Sequence, residues 1–324
     1  MQQAVQLKPE VVELRLLDQL VAAVEQVFLG KRETVRLATA ALLARGHLLF
    51  EDVPGVGKTT LARALARALG LGFRRIQFTS DLLPSDVLGV SIYNPSTHEF
   101  ETRPGPIFTQ VVLADEINRA PPRTQSGLLE AMQEGRVTID ERTHELPRPF
   151  LVIATQNPLE QHGTYPLPES QLDRFLMRLA IGYPEALEER RVLLQSSAVD
   201  DPVEEIDPVL DARQVLALQA RVEEVRADAS LVDYVMAIVQ ATRVDPRFRA
   251  GASTRAAIAL FRAARAYALV EGRSYLVPDD VRRLVVPCLA HRLLPAGSFS
   301  ATAGAHEEAA ATLEEIVSST PVPV

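Results

Sequence analysis

The chain has 324 residues, 47% apolar and 23% charged, the balance of an ordinary globular protein with room for about two domains. Its 34 basic and 42 acidic residues leave a net charge of −8, which argues against a nucleic-acid surface spread over the whole molecule. No apolar run reaches a membrane span, Met1-Gln-Gln-Ala-Val lacks the plan of a signal peptide, and the single cysteine, Cys288, cannot close an internal disulfide, so the expectation is a cytoplasmic protein with no membrane insertion.

Residues 9–28 carry apolar side chains at helical spacing (Leu17, Leu20, Val21, Val24), closed by Gly30, and residues 32–44 form a second helix. Leu48-Leu49-Phe50 reads as a buried strand, and a turn with Pro54, Gly55 and Gly57 follows it. Residues 61–69 then read as a helix that Gly70 ends. Strand, glycine turn and helix N-terminus together make a phosphate site, with Pro54, Gly55, Val56, Gly57, Lys58, Thr59 and Thr60 around the anion. On this reading Lys58 reaches the β/γ-phosphates and the Thr59 hydroxyl ligates Mg²⁺. The strict pattern G-x-x-x-x-G-K-[ST] asks for glycine at position 52, where this chain has Asp52, a residue that tolerates unusual turn dihedrals. The competing reading is a chance Gly-Lys-Thr on a surface loop, and the strand and helix on either side argue against it.

Residues 73–78 form a second strand. Residues 81–88 read as a short helix broken by Pro84, and 90–93 with 99–102 frame Asn94-Pro-Ser-Thr-His98 as a hairpin inserted into the strand–helix alternation. The run from Val111 to Ala114 is a buried strand that sets Asp115 and Glu116 at its carboxyl end, where open parallel sheets bind ligands. Asp115 there can hold Mg²⁺ through its water shell, and Glu116 can polarise the attacking water, a contribution of about 10²–10⁴-fold. An amphipathic helix at 122–134 leads to a second hairpin, 136–139 with 143–146. A strand at 150–155 delivers Gln156 and Asn157 to the same edge, where an amide can orient the lytic water. A short helix at 167–175 and a last strand at 176–181 complete an α/β domain with a parallel sheet, expected to span 1–184 and to end at Tyr183-Pro184.

Beyond that boundary the chain reads as helical over 185–317. An acidic connector occupies 196–210, and helices follow at about 211–226, 229–243, 254–271 and 278–286. Arg255 falls in the first turn of one of them, where a cation opposes the helix dipole unless it has an anion to bind. Residues 318–324 read as a disordered tail. The six histidines show no metal-ligand spacing and are expected to be structural or solvated.

Together these motifs resemble the AAA+ ATPases, and within them the MoxR family, along most of residues 10–295. The likeness is carried by Glu51-Asp-Val-Pro-Gly-Val-Gly-Lys-Thr-Thr60, Leu113-Ala-Asp-Glu-Ile-Asn-Arg-Ala-Pro-Pro122, Gln125-Ser-Gly-Leu-Leu-Glu-Ala-Met-Gln-Glu134, Ala154-Thr-Gln-Asn-Pro158 and Pro168-Glu-Ser-Gln-Leu-Asp-Arg-Phe175. The resemblance implies a phosphate-loop AAA+ core with a C-terminal helical lid, ATP as substrate with Mg²⁺, and Glu-Asp-Val-Pro-Gly as that family's own form of the loop. It also implies Asn157 as first sensor, Arg174 as arginine finger (Arg178 being the second candidate) and Arg255 as second sensor. The two hairpins become inserts facing the pore of a hexameric ring. The implied work is chaperone-like remodelling of proteins, beside a partner with a von Willebrand factor A domain. Thr254 stands where similar proteins often have proline, and residues after about 296 offer no family counterpart. Two rival readings stand: a related ring with another client, such as a magnesium-chelatase-like motor or a DNA helicase, and a nucleotide-binding scaffold that does not hydrolyse. The segment 91–100 carries no Lys or Arg, which disfavours nucleic acid as client, and intact Lys58, Asp115, Glu116 and Asn157 count against the scaffold.

Overall fold

The computed structural model describes residues 9–140, 142–158, 163–195, 201–297 and 303–323. Met1-Gln-Gln-Ala-Val, Glu141 in the second hairpin's turn, and residues 196–200 of the acidic connector lie outside them. Helices α1 (Pro9–Glu25) and α2 (Arg32–Leu43) lead into β1 (Leu48–Glu51), α3 (Lys58–Ala68) and β2 (Phe73–Gln77). Then come α4 (Pro84–Leu88), the hairpin β3 (Gly89–Asn94) and β4 (Glu99–Pro104), β5 (Val111–Asp115) and α5 (Pro122–Glu134). A second hairpin, β6 (Arg136–Ile139) and β7 (Arg142–Glu145), precedes β8 (Leu151–Gln156), α6 (Glu169–Leu172) and β9 (Met177–Leu179). The rest is helical: α7 (Ala186–Gln195), α8 (Ala212–Glu224), α9 (Ala229–Val244), α10 (Thr254–Val270), α11 (Pro278–Leu289) and α12 (Ala303–Ser319).

Five strands form one sheet in the order β2-β5-β8-β1-β9, each neighbouring pair parallel. The strands β1, β5 and β8 are apolar without alternation because both of their faces are covered. Leu48, Phe50, Leu113 and Ile153 join a core with α1–α3 and the C-terminal helices, while Leu49, Val112, Ala114 and Val152 pack on the α5 side. Parallel pairing brings every carboxyl end to one edge of the sheet and every amino end to the other.

Two local expectations need correction. Pro84 does not break a helix but starts one: it occupies the first turn of α4, where its missing N–H costs nothing, and the Asp86 carboxylate accepts the Leu83 N–H at 2.9 Å. The segment after residue 296 carries a full helix, α12, with Ala305, Ala309, Leu313 and Ile316 buried along one face. It runs through Ser319, and Thr320 N–H still donates to Ile316 O at 3.0 Å, so the tail expected to be disordered from 318 begins as helix.

Strand β9 lies at the end of the sheet, and the C-terminal helices cover its open side. Arg292 donates to the Phe175 carbonyl at 2.7 Å, just ahead of β9, and His306 of α12 meets Glu51 at 3.0 Å. His47 is structural, as expected. Its Nδ1 accepts the Val152 N–H at 3.0 Å, and its Nε2 donates to the Met132 carbonyl at 3.0 Å, tying β1, β8 and α5 together. Burial pulls its pKa down to about 4.

Candidate nucleotide site and arginine edge

At the carboxyl edge, the turn between β1 and α3 places Gly55 at φ +86° and Gly57 at φ +92°, conformations that only glycine adopts freely. Space is the second constraint at Gly57, where a Cβ would come within 3.1 Å of the Phe28 ring. Open space surrounds Gly55: a Cβ there would meet nothing within 4 Å. Gly57 offers no side-chain cap to α3, so the first-turn N–H groups of Lys58, Thr59 and Thr60 lack that partner, the arrangement that suits an anion. Lys58 is half-buried and its Nζ donates to the Asp52 carbonyl at 2.5 Å. Burial draws its pKa below the usual lysine value, and the carboxylates of Asp52, Asp115 and Glu116 oppose that shift.

The position that departs from the strict loop pattern has a job of its own. The buried Asp52 carboxylate accepts the N–H groups of Ile181 (2.7 Å) and Gly182 (2.6 Å), so the loop is pinned to the chain leaving β9. One residue earlier, Glu51 pairs with Arg178 of β9. That pairing occupies Arg178 inside its own chain.

Asp115 and Glu116 stand at the end of β5 beside Lys58. Thr155 of β8 organises both: its hydroxyl donates to Asp115 Oδ1 at 2.6 Å and accepts the Glu116 N–H at 2.9 Å. Glu116 sits at φ +57°, a strained conformation for this residue type. Its carboxylate accepts from Gln77 Nε2 at 3.0 Å and pairs with Arg119 at 2.9 Å, while Arg75 grips Asp115 Oδ2 at 2.6 Å. Asn157 is buried directly after β8, one residue past Gln156. Sequence reading misses Arg75, Gln77 and Thr155 as site residues. The available signal was position, since all three lie on strands of the same sheet, Gln77 and Thr155 at or near the carboxyl ends and Arg75 two residues before the end of β2.

Thr59 and Asp115 offer a hydroxyl and a carboxylate oxygen, hard donors of the kind Mg²⁺ takes. Among the described residues no cluster of three or more His, Cys, Asp or Glu could hold a metal by itself. The chemistry therefore fits a cation shared with phosphate oxygens, not a protein-only cage.

Arg174 and Arg255 are not at this edge. They line a cavity of about 350 Å³ beside Gly46 and His47, at the amino end of β1, and the C-terminal end of α5 closes one side. The four residues of β1, about 13 Å of strand, separate that cavity from the phosphate loop. Arg174 Nη1 donates to the Leu129 carbonyl at 2.7 Å. Asp173, an obvious salt-bridge partner for Arg174 by sequence, is instead shared by Arg255 (3.5 Å) and the nearly buried Arg292 (3.2 Å). Arg45 and Arg262 also reach this cavity. Its residues come from five distant stretches of chain, so no local pattern could announce it.

The AAA family model, described as ATPase family associated with various cellular activities, matches residues 47–177, and an AAA lid domain model matches 240–316. The chain is 42% identical to Chaperone MoxR1 of Mycobacterium tuberculosis over 291 residues, covering 87% of this chain and 76% of that protein. The chain belongs to the MoxR family of AAA+ ATPases. It is also 53% identical over 312 residues to YeaC of Bacillus subtilis, covering 95% of each protein. A crystal structure of a Cytophaga hutchinsonii protein assigned as an ATPase superposes with a TM-score of 0.87 at 36% identity, covering 97% of both chains. Its fold is thus the phosphate-loop AAA+ fold with a helical lid, and α12 falls largely within the lid match, so the segment lacking an evident family counterpart in the sequence has one.

Proposed function

We infer that this MoxR-family protein binds and hydrolyses ATP with Mg²⁺ at the carboxyl edge of its sheet, in a ring where a second copy completes each site. One observation supports this reading above the others: Arg174 and Arg255 share a cavity at the sheet edge opposite Lys58. One chain then carries two unlike half-sites, and head-to-tail assembly joins them, the geometry that closes into rings.

On this reading Lys58 neutralises the β/γ-phosphates. Mg²⁺, held through Thr59 and Asp115, would screen the same oxygens. Glu116, once free of Gln77 and Arg119, takes the proton of the attacking water, and the Asn157 amide orients that water. Arg174 and Arg255 of the second copy meet the charge that develops on the γ-phosphate, a role worth about 10³–10⁵ in rate in related NTPases. A hexamer, a protein client engaged by the β3–β4 hairpin, a von Willebrand factor A partner and a cytoplasmic setting belong to the same proposal. Among the described residues no helix is long and apolar enough to cross a membrane.

Nucleotide affinity and phosphate release for Lys58→Ala and Glu116→Gln test the chemistry. Lys58→Ala should weaken ATP binding itself; Glu116→Gln should keep binding and lose turnover. Equal loss of affinity in both would sink the assignment. Unchanged turnover in Glu116→Gln would favour the non-hydrolysing scaffold.

A further inference from the structure

The arginine cavity holds more cation than Arg174 and Arg255 explain. Arg45, Arg174, Arg255, Arg262 and Arg292 line it, and among its described lining residues Asp173 is the sole carboxylate, already shared by two of them. Arg262 lies seven residues after Arg255 on α10, two turns along the same face. Its Nε is buried and has no hydrogen-bond partner among the described residues. Burial draws the Arg262 pKa down, Arg45 adds to that, and Glu223 opposes it, although Glu223 also faces Arg265 at 3.7 Å. A half-buried guanidinium with a buried, unused Nε donor and like charges around it has room for an anion.

Arg45 gives an independent sign. It ends α2 at φ +52°, with Arg45 N–H bonded to Leu42 O at 3.0 Å and Gly46 N–H to Ala41 O at 2.8 Å. That is the left-handed helix terminus at which glycine is the low-cost residue. The adjacent Gly46 cannot be exchanged with it, because a Cβ there would fall 2.4 Å from Leu176. An exposed arginine therefore occupies the strained position and borders the cavity.

We propose that Arg45 and Arg262 extend the anion site begun by Arg174 and Arg255, so that the cavity takes the triphosphate chain of a nucleotide carried by a second copy, with Arg262 as a phosphate-contacting residue in its wall and Arg45 at its mouth. This rests on the reading that the arginine edge serves a neighbour, and Asp173 is then the positioning residue that aims Arg255.

Complementation between variants tests it. Arg262→Ala should lower ATP turnover about tenfold or more, the scale of losing one charge-assisted phosphate contact, while its own intact phosphate loop still binds a fluorescent ATP analogue, within about tenfold of the unmodified affinity. Mixed with Lys58→Ala subunits it should regain turnover, because each lends the other an intact edge. Mixed with Arg174→Ala it should regain none, because both defects lie on one edge. Arg45→Ala, at an exposed residue, should follow the same pattern with a smaller loss. Turnover of Arg262→Ala within twofold of the unmodified protein, rescue by Arg174→Ala, or abolished ATP binding comparable to that of Lys58→Ala would each overturn the proposal. Should Arg262→Ala melt early, Arg262→Gln keeps most of the buried stem and is read the same way; if both unfold, Arg262 is a core residue and the proposal falls. The Arg174→Ala and Lys58→Ala mixture separates the two levels. If it regains turnover while Arg262→Ala with Lys58→Ala does not, only the extended site is wrong; if assembled mixtures of both pairs stay inactive, the second-copy reading fails and takes this one with it.

Discussion

The Asp52 carboxylate holds the Gly182 N–H at 2.6 Å, across a gap of 130 residues in sequence. The residue that departs from the strict phosphate-loop pattern is thus the one that ties the loop to the far end of the α/β unit. Asp52→Ala leaves three backbone N–H groups, those of Val53, Ile181 and Gly182, without their acceptor, a loss of roughly 1–3 kcal/mol for each one that stays buried and unsatisfied. It should lower the unfolding midpoint and weaken ATP binding together, measured by thermal melts with and without nucleotide. Unchanged ATP affinity would show that the tether supports stability alone.

The hairpin β3–β4 presents Val90, Ile92, Tyr93 and Phe100 to solvent, with the Tyr93 and Phe100 rings 5.4 Å apart. It lies away from the strand ends that hold Lys58 and Glu116. Deleting Asn94 to Thr97 should leave basal hydrolysis within a few-fold and uncouple it from a protein client. A deletion that abolishes nucleotide binding would make the hairpin structural.

Much of the molecule was legible because its signals are local. Leu48-Leu49-Phe50 before a glycine turn, or Val111 to Ala114 before two carboxylates, needs no distant partner to be read. Arg174 and Arg255 could be named only through family resemblance, and nothing in the sequence said that they share a cavity. The arginines of 262–273 read from sequence as solvated or interdomain surface and Arg45 went unremarked, because the meaning of Arg45 and Arg262 comes from packing between α2 and α10. Helix α12 was not set apart within the stretch expected to be helical, although Ala305, Ala309 and Leu313 recur every four residues and Ile316 and Val317 extend the buried face.

Acid should act on the fold through His47. Its folded pKa is about 4, against 6.5 for an ordinary histidine, so the unfolded chain binds the extra proton first. The stability from keeping it neutral is fully present above pH 6.5 and is lost as pH falls toward 4, about 3 kcal/mol in all. His291, also buried and lowered, acts in the same direction. Urea titrations from pH 7.5 to 4.5 should show a steeper loss for the unmodified protein than for His47→Gln. Equal slopes would contradict the assignment.

Arg75 grips the Asp115 carboxylate that the proposed Mg²⁺ site requires. Arg75→Ala should lower the Mg²⁺ concentration at half-maximal turnover several-fold, by removing a competitor for that oxygen. A raised Mg²⁺ requirement would mean that Arg75 orients Asp115 and does not compete for it.

The measurement that bears most directly on the two-edged site is phosphate release from rings assembled from Arg174→Ala and Lys58→Ala subunits. Each variant alone should be inactive, with Arg174→Ala still binding ATP. Mixed rings should regain turnover, because a Lys58→Ala subunit still presents its Arg174 to a neighbour whose phosphate loop is intact. Subunits that demonstrably exchange into mixed rings yet release no phosphate at any ratio would show that Arg174 does not act on a second copy's nucleotide.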